Sequence, residues 1–399
     1  MPASPDSVAD SFDCIVIGAG AAGLFCAMRA GQRGRRVLLL DHADEAGKKI
    51  LISGGGRCNF TNLGVVPERF HSQNPHFCRS ALSRYTQADF IALVDRHRIA
   101  WHEKTLGQLF CDGSARQIVA MLLAECSAAG VELRLSQRVT AIERSDRFRV
   151  ATDRGIAETD AVVLATGGLS IPRMGATGFA FDVARRFGLA VTETRPGLVP
   201  LVFAGSDLDF MRALSGVALD VVVGCGRTRF REALLFTHRG LSGPAILQIS
   251  SVWRESLPIT IDLLPDIDLA TRLLETKRTR PRLEPRKLLA ELMPQRLGQA
   301  LAERHLPVRP LAEITDKDLQ RFAATLKSWT LVPAGSEGYA KAEVTVGGID
   351  TRGLSSRTMQ AVAVPGLFAI GEAVDVTGWL GGYNFQWAWS SGWVAGESV

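Results

Sequence analysis

The feature that most constrains this chain is a glycine pattern close to its N-terminus. An apolar run, Cys14 to Ile17, is typical of a strand buried on both faces. Three glycines follow it at GxGxxG spacing: Gly18, Gly20 and Gly23. A helix of small residues is then predicted over Ala21 to Ala30, before a second apolar run, Val37 to Leu40, that ends in Asp41. This order of strand, glycine turn, helix, strand and acid predicts a dinucleotide-binding unit.

Each glycine of the pattern is needed for a different structural reason. Gly18 allows the tight turn, Gly20 lets backbone approach a pyrophosphate, and Gly23 lets the helix pack on the strand. The helix N-terminus, with Ala21 and Ala22, then points N–H groups and a positive dipole end at the phosphates. We therefore predict that these five residues bind the cofactor.

Asp41 lies where an acid binds a ribose hydroxyl, about 20 residues beyond the glycines. A carboxylate at this place disfavours a 2′-phosphate, so NADP is not expected here. The fingerprint alone fits FAD and NAD equally, and the rest of the chain has to choose between them.

A second glycine-rich stretch, "EAGKKILISGGGRCNFTN", follows the acid. Three consecutive glycines expose backbone N–H groups and allow positive φ, so the loop could lie flat against a phosphate or a planar ring. The alternative is a flexible surface loop. We predict cofactor contacts by Lys49, Ser53, Gly54, Gly55, Gly56, Arg57, Cys58 and Asn59. A redox role for Cys58 is a minor alternative, because no partner cysteine is near it in sequence.

The later strands extend the same domain. Gly130 to Leu135 is predicted as a third parallel strand, and residues 139–152 as an antiparallel excursion that turns near Ser145. Ala161 to Gly168 then returns as a buried strand. The last apolar strand begins at Gly366 and stops at Gly371 and Glu372.

From about Pro196 the pattern changes to short alternating strands separated by turns, which is typical of a small antiparallel barrel. The glycines around Cys225 are predicted to form a hairpin turn and not a second nucleotide loop. A helical segment with a cap at Thr315 is nested inside. We predict three parts: an FAD-binding domain of residues 1–195 and 343–399, a β-barrel of residues 196–264 and 327–342, and a helical cap of residues 265–326.

The stretch "GWLGGYNFQWAWSSGW" near the C-terminus favours a flavin. Gly381 and Gly382 offer backbone access, and a helix beginning near Tyr383 or Asn384 would aim its N–H groups at the carbonyl edge of the ring. We predict that Phe385, like these four residues, contacts the cofactor. The tryptophans are interpreted as core packing and not as a stacking platform, because a helix that is apolar on all sides is buried.

Four blocks resemble a known group: "SGGGRCNFTN", "LFTHRGLSGPAIL", "VTVGGI" and the C-terminal block from Gly366. The chain is similar to flavoproteins of the glutathione-reductase and fumarate-reductase type. More narrowly, it resembles the bacterial family of NAD(FAD)-utilising dehydrogenases, which includes aminoacetone oxidase and a reductase proposed for bile-acid dehydroxylation. The resemblance implies an α/β Rossmann-like FAD domain interrupted by the barrel and its cap. It also implies cofactor contacts by Val139, Thr166, Gly167, Gly168, Gly371 and Glu372.

Two blocks depart from that family's usual sequence. Residues 172–181 read "PRMGATGFAF" and lack a Gly-Asp-Gly, and Phe110 is followed by Cys111 where the family usually has proline. We expect both changes to affect the mouth or the substrate pocket and not the fingerprint.

Composition narrows the class of protein further. No apolar run reaches the length of a membrane span, and the first residues lack a signal-peptide pattern. Seven cysteines without a CxxC pair indicate a reduced, cytoplasmic compartment and no metal site. The net charge of +5 is mild, and much of it lies between Arg272 and Arg309. We interpret these arginines as a solvated face, so nucleic acid is not the expected partner.

No second fingerprint for NAD(P)H is visible. The leading hypothesis is therefore an FAD-dependent oxidoreductase that acts on a small organic substrate by hydride transfer, with electrons exchanged with dioxygen or a transient acceptor such as NAD(P)H. His238, Tyr383 and Asn384 are the candidate catalytic residues, although a structural histidine and helix capping are the plainer roles. Two alternatives are an RNA-modifying flavoprotein and a flavin-binding regulatory protein. The sequence leaves the oligomeric state open.

Overall fold

The computed structural model describes residues 10–399. The predicted FAD domain therefore begins with nine residues that lie outside the described part. The chain divides into two compact units, Met1–Arg195 with Val344–Val399, and Pro196–Glu343. The finer boundary between barrel and cap stays a prediction.

The strands up to residue 164 are β1 (Asp10–Ile17), β2 (Val37–Leu40), β3 (Asn59–Asn62), β4 (Phe70–His71), β5 (Trp101–Glu103), β6 (Gln108–Cys111), β7 (Glu132–Arg134), β8 (Val139–Arg144), β9 (Phe148–Thr152) and β10 (Gly155–Leu164). Those from residue 195 onward are β11 (Arg195–Gly197), β12 (Leu201–Val202), β13 (Ala218–Cys225), β14 (Thr228–Thr237), β15 (Gly240–Ser242), β16 (Ile259–Asp262), β17 (Trp329–Leu331), β18 (Gly335–Ser336), β19 (Val344–Val346), β20 (Leu367–Ala369) and β21 (Thr377–Gly378).

The helices up to residue 213 are α1 (Ala21–Gln32), α2 (Lys48–Ile52), α3 (Cys78–Arg84), α4 (Gln87–Arg96), α5 (Arg116–Ala128), α6 (Phe179–Arg186) and α7 (Gly205–Ala213). Those beyond it are α8 (Pro244–Ser250), α9 (Leu269–Thr279), α10 (Pro285–Leu292), α11 (Gln295–His305), α12 (Asp316–Lys327) and α13 (Tyr383–Ser398).

The first unit is built on a parallel sheet in the order β7-β2-β1-β10-β20. In its centre Ile15 pairs with Leu38 on one side and Val162 on the other, and all three are fully or almost fully buried. The antiparallel excursion of β8 and β9 pairs with the first half of β10. The predicted fold class, third parallel strand and excursion are confirmed. This strand order places ligands outside the carboxyl ends of the strands.

The C-terminal helix α13 packs tightly against α1. A Cβ atom on Gly392 would lie 2.6 Å from the carbonyl oxygen of Ala22, and one on Gly396 would lie 2.8 Å from that of Cys26. Trp387 and Trp389 are 1% and 0% exposed. The prediction that the tryptophans of α13 pack in the core is therefore confirmed for Trp387 and Trp389. Gly392 and Gly396 permit the close approach of α13 to α1.

The second unit contains an antiparallel sheet in the order β17-β16-β13-β14-β15-β12-β18. One outermost strand, β17, ends at Leu331, and the other, β18, begins at Gly335. Because these two residues are close in sequence, their Cα atoms can be at most about 14 Å apart. The sheet must therefore curl strongly. A two-residue hairpin joins Cys225 to Thr228, as predicted. Four helices, α9 to α12, lie between β16 and β17, and the Thr315 side chain caps α12 as predicted.

The helices described between residues 10 and 399 include none with both the length and the apolar character that a membrane crossing requires.

Candidate functional site

The glycine turn after β1 forms a cradle in which side chains do not fit. Gly18 has a φ of +109°, and a Cβ atom there would lie 2.4 Å from the carbonyl oxygen of Ala165. A Cβ atom on Gly23 would lie 1.8 Å from the Gly18 carbonyl oxygen. Around Gly20, by contrast, no atom of residues 10–399 outside its chain neighbours and its own helix backbone lies within 4 Å of the Cβ position. Two glycines are thus required by packing, whereas the third borders open space through which a ligand could approach.

The N-terminus of α1 begins directly at this open space. Gly20 is its N-cap, no side chain caps the first turn, and no acidic residue stands in that turn. Ala21 and Ala22 place only methyl groups there. Because the first N–H groups of a helix have no partner within it, this end offers donors and a positive dipole to an anion such as a pyrophosphate.

Asp41 lies at the end of β2 with its carboxylate fixed by the backbone. One oxygen accepts from the Ala19 N–H at 2.7 Å and the other from the Ala43 N–H at 2.8 Å. The Gln137 N–H donates to the Asp41 carbonyl at 2.9 Å, which brings the start of β8, with the predicted contact Val139, into the same region. Each carboxylate oxygen retains capacity to accept from a ribose hydroxyl.

At the end of β10, Thr166 carries a hydroxyl oxygen that is buried and has no hydrogen-bond partner among residues 10–399. Gly167 beside it has a φ of +73°. Burial of a polar atom without a partner is costly, and a bound ligand can supply the partner that the protein does not. This hydroxyl lies directly after the carboxyl end of the central strand, where the sequence predicts the cofactor.

A polar cluster joins three distant parts of the first unit. The Lys49 ammonium donates to Glu372 Oε2 at 2.6 Å and to Ser170 Oγ at 2.5 Å, and Ser170 donates to Glu372 Oε1 at 2.8 Å. The Thr345 N–H donates to the same Oε1 at 2.9 Å. Gly168 is confined here, because a Cβ atom on it would lie 2.4 Å from Thr345 Oγ1. The sequence predicted Lys49 and Glu372 as contacts but missed Ser170 and Thr345.

The triple-glycine loop is anchored to neighbouring segments by backbone hydrogen bonds. Gly54, Gly55 and Gly56 all have positive φ, and the Ala115 N–H donates to the Gly56 carbonyl at 2.8 Å. The Cys111 N–H likewise donates to the Arg57 carbonyl at 2.9 Å. The loop therefore exposes its glycine backbone in a fixed conformation, while the Arg57 side chain is exposed.

Cys58 follows this loop with a φ of +50° and is completely buried. Burial raises the pKa of its thiol far above the usual range, and the hydrogen bond with Ser53 offsets only part of that effect. A reactive thiolate needs the opposite environment. The minor redox alternative for Cys58 is therefore disfavoured, and all seven cysteines are free and buried.

The paired glycines before α13 form a second cradle. Gly381 and Gly382 have φ values of +105° and +94°, and a Cβ atom on Gly382 would lie 2.4 Å from the Thr61 carbonyl oxygen. Asn62 donates from Nδ2 to the Gly381 carbonyl at 2.8 Å. The side-chain amides of Asn59 and Gln108 lie 3.1 Å apart beside this loop. Strands β3 and β6 thus support the loop that the sequence assigns to the ring.

The first residues of α13 have different surroundings. Asn384 holds the loop closed, because its amide accepts from the Gly378 N–H at 2.8 Å and donates to the Gly378 carbonyl at 2.9 Å. The Arg69 guanidinium donates a hydrogen bond to the phenol oxygen of Tyr383. Phe385 stacks on Trp389 with ring centroids 5.6 Å apart. The contacts of Asn384 fit a structural role, whereas the catalytic assignments of Tyr383 and Asn384 stay predictions.

Arg69 is a site residue that the sequence interpretation missed. Its guanidinium carbon lies 5.3 Å from the ring centroid of Trp379 and 5.7 Å from that of Tyr383. No carboxylate among residues 10–399 forms an ion pair with it. A cation held by aromatic faces keeps its charge available to a carbonyl or an anion.

His71 was also missed. It stands opposite Thr377 in the β4–β21 ladder, and its Nε2 atom is buried without a hydrogen-bond partner in the described chain. Burial, with a smaller effect from Arg195, lowers the pKa of His71 to about 4. The imidazole is therefore neutral at physiological pH.

His238 belongs to the second unit, where it is exposed in the turn between β14 and β15. Its carbonyl accepts from Arg212 Nε at 3.3 Å. Its catalytic role stays a prediction.

The first unit fits FAD by its own features. Three of its features suit the polar parts of FAD, which are a diphosphate, an adenosine and a polyol: the uncapped N-terminus of α1, the unpartnered Thr166 hydroxyl and the cluster around Glu372. The Gly381 loop suits a flat ring. No three His, Cys, Asp or Glu side chains of residues 10–399 are grouped so that they could hold a metal ion.

Comparisons with known proteins place these features in a family. A family described as "HI0933-like protein Rossmann domain" matches residues 12–398. The chain is 52% identical over 393 residues to a "Ribosomal RNA dihydrouridine synthase" of Escherichia coli (strain K12), with 98% of each chain covered. It is 28% identical over 406 residues to a "3-dehydro-bile acid delta(4,6)-reductase" of Clostridium scindens, with 96% of this chain and 98% of the other covered.

Among solved structures, a 3-ketosteroid-delta4-(5alpha)-dehydrogenase from Rhodococcus jostii RHA1 aligns with a TM-score of 0.52 at 15% identity. The alignment covers 99% of this chain and 98% of the other. A likeness at this identity shows the fold alone.

Proposed function

The chain belongs to the HI0933-like family of FAD-binding Rossmann proteins, and from that premise we propose that it reduces uridine in ribosomal RNA to dihydrouridine. The observation that carries the proposal is the 52% identity with the E. coli ribosomal RNA dihydrouridine synthase over 98% of both chains. The alternative of an RNA-modifying flavoprotein thereby becomes the leading function. The expected small organic substrate becomes the second candidate.

The reaction adds two hydrogens across the C5=C6 bond of uracil, which is conjugated to the C4 carbonyl. FAD, when bound, supplies the two-electron redox chemistry for this step. The protein has to hold the base flat, draw electron density toward the carbonyl and deliver a proton to carbon. Arg69 and the N-terminus of α13 are the positive groups near the Gly381 loop that could polarise a carbonyl.

Substrate binding requires contacts with RNA phosphates, and the second unit offers candidates. Arg278, Arg282 and Arg309 are exposed, and none forms an ion pair with a carboxylate in the described part of the chain. Nearby Arg280 differs, because Glu291 binds it at 2.9 and 2.8 Å. Unpaired guanidinium groups suit phosphate contacts. We propose these three arginines as part of the RNA-binding surface, with a cytoplasmic location to match.

Reduction of a small organic substrate remains the second candidate. It is supported by the 28% identity with the bile acid reductase over nearly the whole of both chains. Both candidates need FAD, so loss of FAD binding cannot separate them. The substrate assay can.

The test is anaerobic incubation of the FAD-loaded protein with NAD(P)H and unmodified ribosomal RNA transcripts, followed by mass spectrometry of the released nucleosides. We expect a uridine nucleoside that has gained two hydrogens. A protein whose flavin is reduced by NAD(P)H but leaves all uridines unchanged, while a steroid-like enone is consumed, would replace this proposal by the second candidate.

A further inference from the structure

The two-stranded ladder of β4 and β21 carries the polar group that the proposed site leaves unexplained. His71 pairs with Thr377 and Phe70 with Gly378, and the Trp379 N–H extends the ladder by donating to the Arg69 carbonyl at 3.0 Å. Directly opposed residues of an antiparallel pair project to the same face. His71 and Thr377 therefore share one face of this ladder.

This face lies between the two halves of the candidate flavin site. On one side, Thr377 Oγ1 donates to the Thr345 carbonyl at 3.3 Å, and the Thr345 N–H donates to Glu372. On the other side, β21 runs into the loop of Gly381 and Gly382. His71 thus stands between the polar cluster and the bare-backbone loop, where a ring joined to a polyol chain would be expected.

The imidazole itself is unusual for a structural histidine. Its Nε2 is buried yet has no partner in the described chain, although a buried polar nitrogen ordinarily finds one. Because it is neutral at physiological pH, one nitrogen donates and the other accepts. It can therefore complement a neutral ligand that presents donors and acceptors side by side, and it does not need an anion.

We propose that His71 Nε2 hydrogen-bonds the imide edge of a pyrimidine-dione ring. This C(=O)–NH–C(=O) group occurs in two molecules that the site would hold, the isoalloxazine of FAD and the uracil of RNA. The uracil source rests on the proposed function, whereas the flavin source does not. In both cases His71 is a positioning residue that fixes the plane and register of a ring.

The test uses His71→Phe, which keeps an aromatic ring without a polar atom, and His71→Gln, which keeps a polar side chain. The matched control is His76→Phe, because His76 is an exposed histidine on the same segment. Three quantities are measured for each protein: the Kd for FAD on the flavin-free protein, the visible absorption bands of bound FAD, and KM and kcat for the RNA substrate at saturating FAD.

If FAD is the partner, His71→Phe raises the Kd for FAD by about tenfold and shifts the absorption bands, while KM for RNA stays unchanged. If uracil is the partner, the Kd and the bands stay unchanged and KM for RNA rises by about tenfold. In each case His71→Gln recovers most of the effect. The proposal is overturned if His71→Phe matches His76→Phe in all three quantities.

A measurement without mutation guards against a variant that fails to fold. In the wild-type protein with ¹⁵N-labelled histidine, the Nε2 resonance of His71 should shift when FAD is added to the flavin-free protein or when RNA is added to the loaded protein. A resonance that moves with neither overturns the proposal. Failure of the proposed function gives a different result, because wild-type protein then forms no dihydrouridine while the FAD titration still reports on His71.

Discussion

The two ends of the candidate flavin site are built in opposite ways. The phosphate end comes from one continuous segment, in which β1, the glycine turn and the start of α1 follow each other directly. The ring end combines the loop at Gly381 with β3, β4 and β6, so Asn62 and Gly381, which share a hydrogen bond, are 319 residues apart in sequence. A local end can form wherever its own sequence allows it, whereas the ring end exists only after the chain's two termini have packed together.

A side chain at Gly20 should block the local end of the candidate site without disturbing the fold. Gly20 has a φ of −82° and open space at its Cβ position, so Gly20→Val should fold. The side chain would occupy the space where a pyrophosphate approaches. We expect a colourless protein whose Kd for FAD is raised at least about 100-fold, measured by fluorescence titration.

Gly335→Ala is the control for Gly20→Val, because a Cβ atom there would meet only Val202, at an ordinary 3.5 Å. It should bind FAD like wild type. A yellow Gly20→Val protein would show that the phosphates lie elsewhere.

The next test separates the two termini. Gly392→Val places atoms where Ala22 leaves no room, since even a Cβ would lie 2.6 Å from the Ala22 carbonyl. Overpacking between α1 and α13 should lower the free energy of unfolding by about 2 to 3 kcal/mol. Urea denaturation measures this. Ser398→Ala, in the last turn of the same helix, should cost well under about 1 kcal/mol, and equal losses would argue against the close contact.

The pH dependence of stability tests the ring end. Burial, with a smaller contribution from Arg195, lowers the pKa of His71 from an ordinary value of 6.5 to about 4 in the folded protein. Below pH 6.5 the unfolded chain takes up a proton that the folded protein does not, so stability falls as the pH drops from 6.5 toward 4. Above pH 6.5 neither state is protonated there, and this contribution vanishes.

Urea unfolding at pH 7.5 and 4.5 should therefore show that His71 removes about 2 kcal/mol of stability at the lower pH. Because His71→Gln lacks the titrating group, the comparison of the two proteins isolates that loss. If wild type and variant lose stability equally, the imidazole is solvated and not buried.

The smallest expected effect concerns the RNA contacts, which neither end of the flavin site supplies. Replacing Arg278, Arg282 and Arg309 together by alanine should weaken RNA binding about tenfold near physiological salt and leave FAD binding unchanged. The slope of log K against log salt should become shallower by about one unit for each phosphate that the variant no longer binds. Glu291-bound Arg280 is the control, because its charge is already paired. An unchanged slope in the triple variant would place RNA elsewhere.

The successful predictions concern elements that depend on residues close together in the sequence. The predicted strand Val37 to Leu40 has the observed boundaries of β2, and the predicted helix from Ala21 ends only two residues before α1 does. Both elements are determined by residues that are neighbours in the sequence. The hairpin at Cys225 and the cap at Thr315 were likewise local. The positive φ of Gly54, Gly55 and Gly56 was expected for the same reason, since tolerance of positive φ is a property of the residue itself.

Arg69, His71 and Ser170 were missed because no neighbouring residue marks them. An arginine, a histidine and a serine in loops or short strands usually face solvent. They lie at the candidate site only because β4 pairs with β21 and because Lys49 reaches Glu372 across 323 residues of sequence. The segment between β3 and α3 has no periodic pattern that could have placed β4 in the correct partnership.

Hydrophobic runs and glycines close together in the chain were enough to predict the glycine turn of the candidate phosphate end, the parallel sheet and the buried character of α13. Which polar groups meet at the candidate ring end follows from the folded backbone. A hydrogen bond joins atoms about 3 Å apart, and the distance along the chain does not report that separation until the backbone has folded.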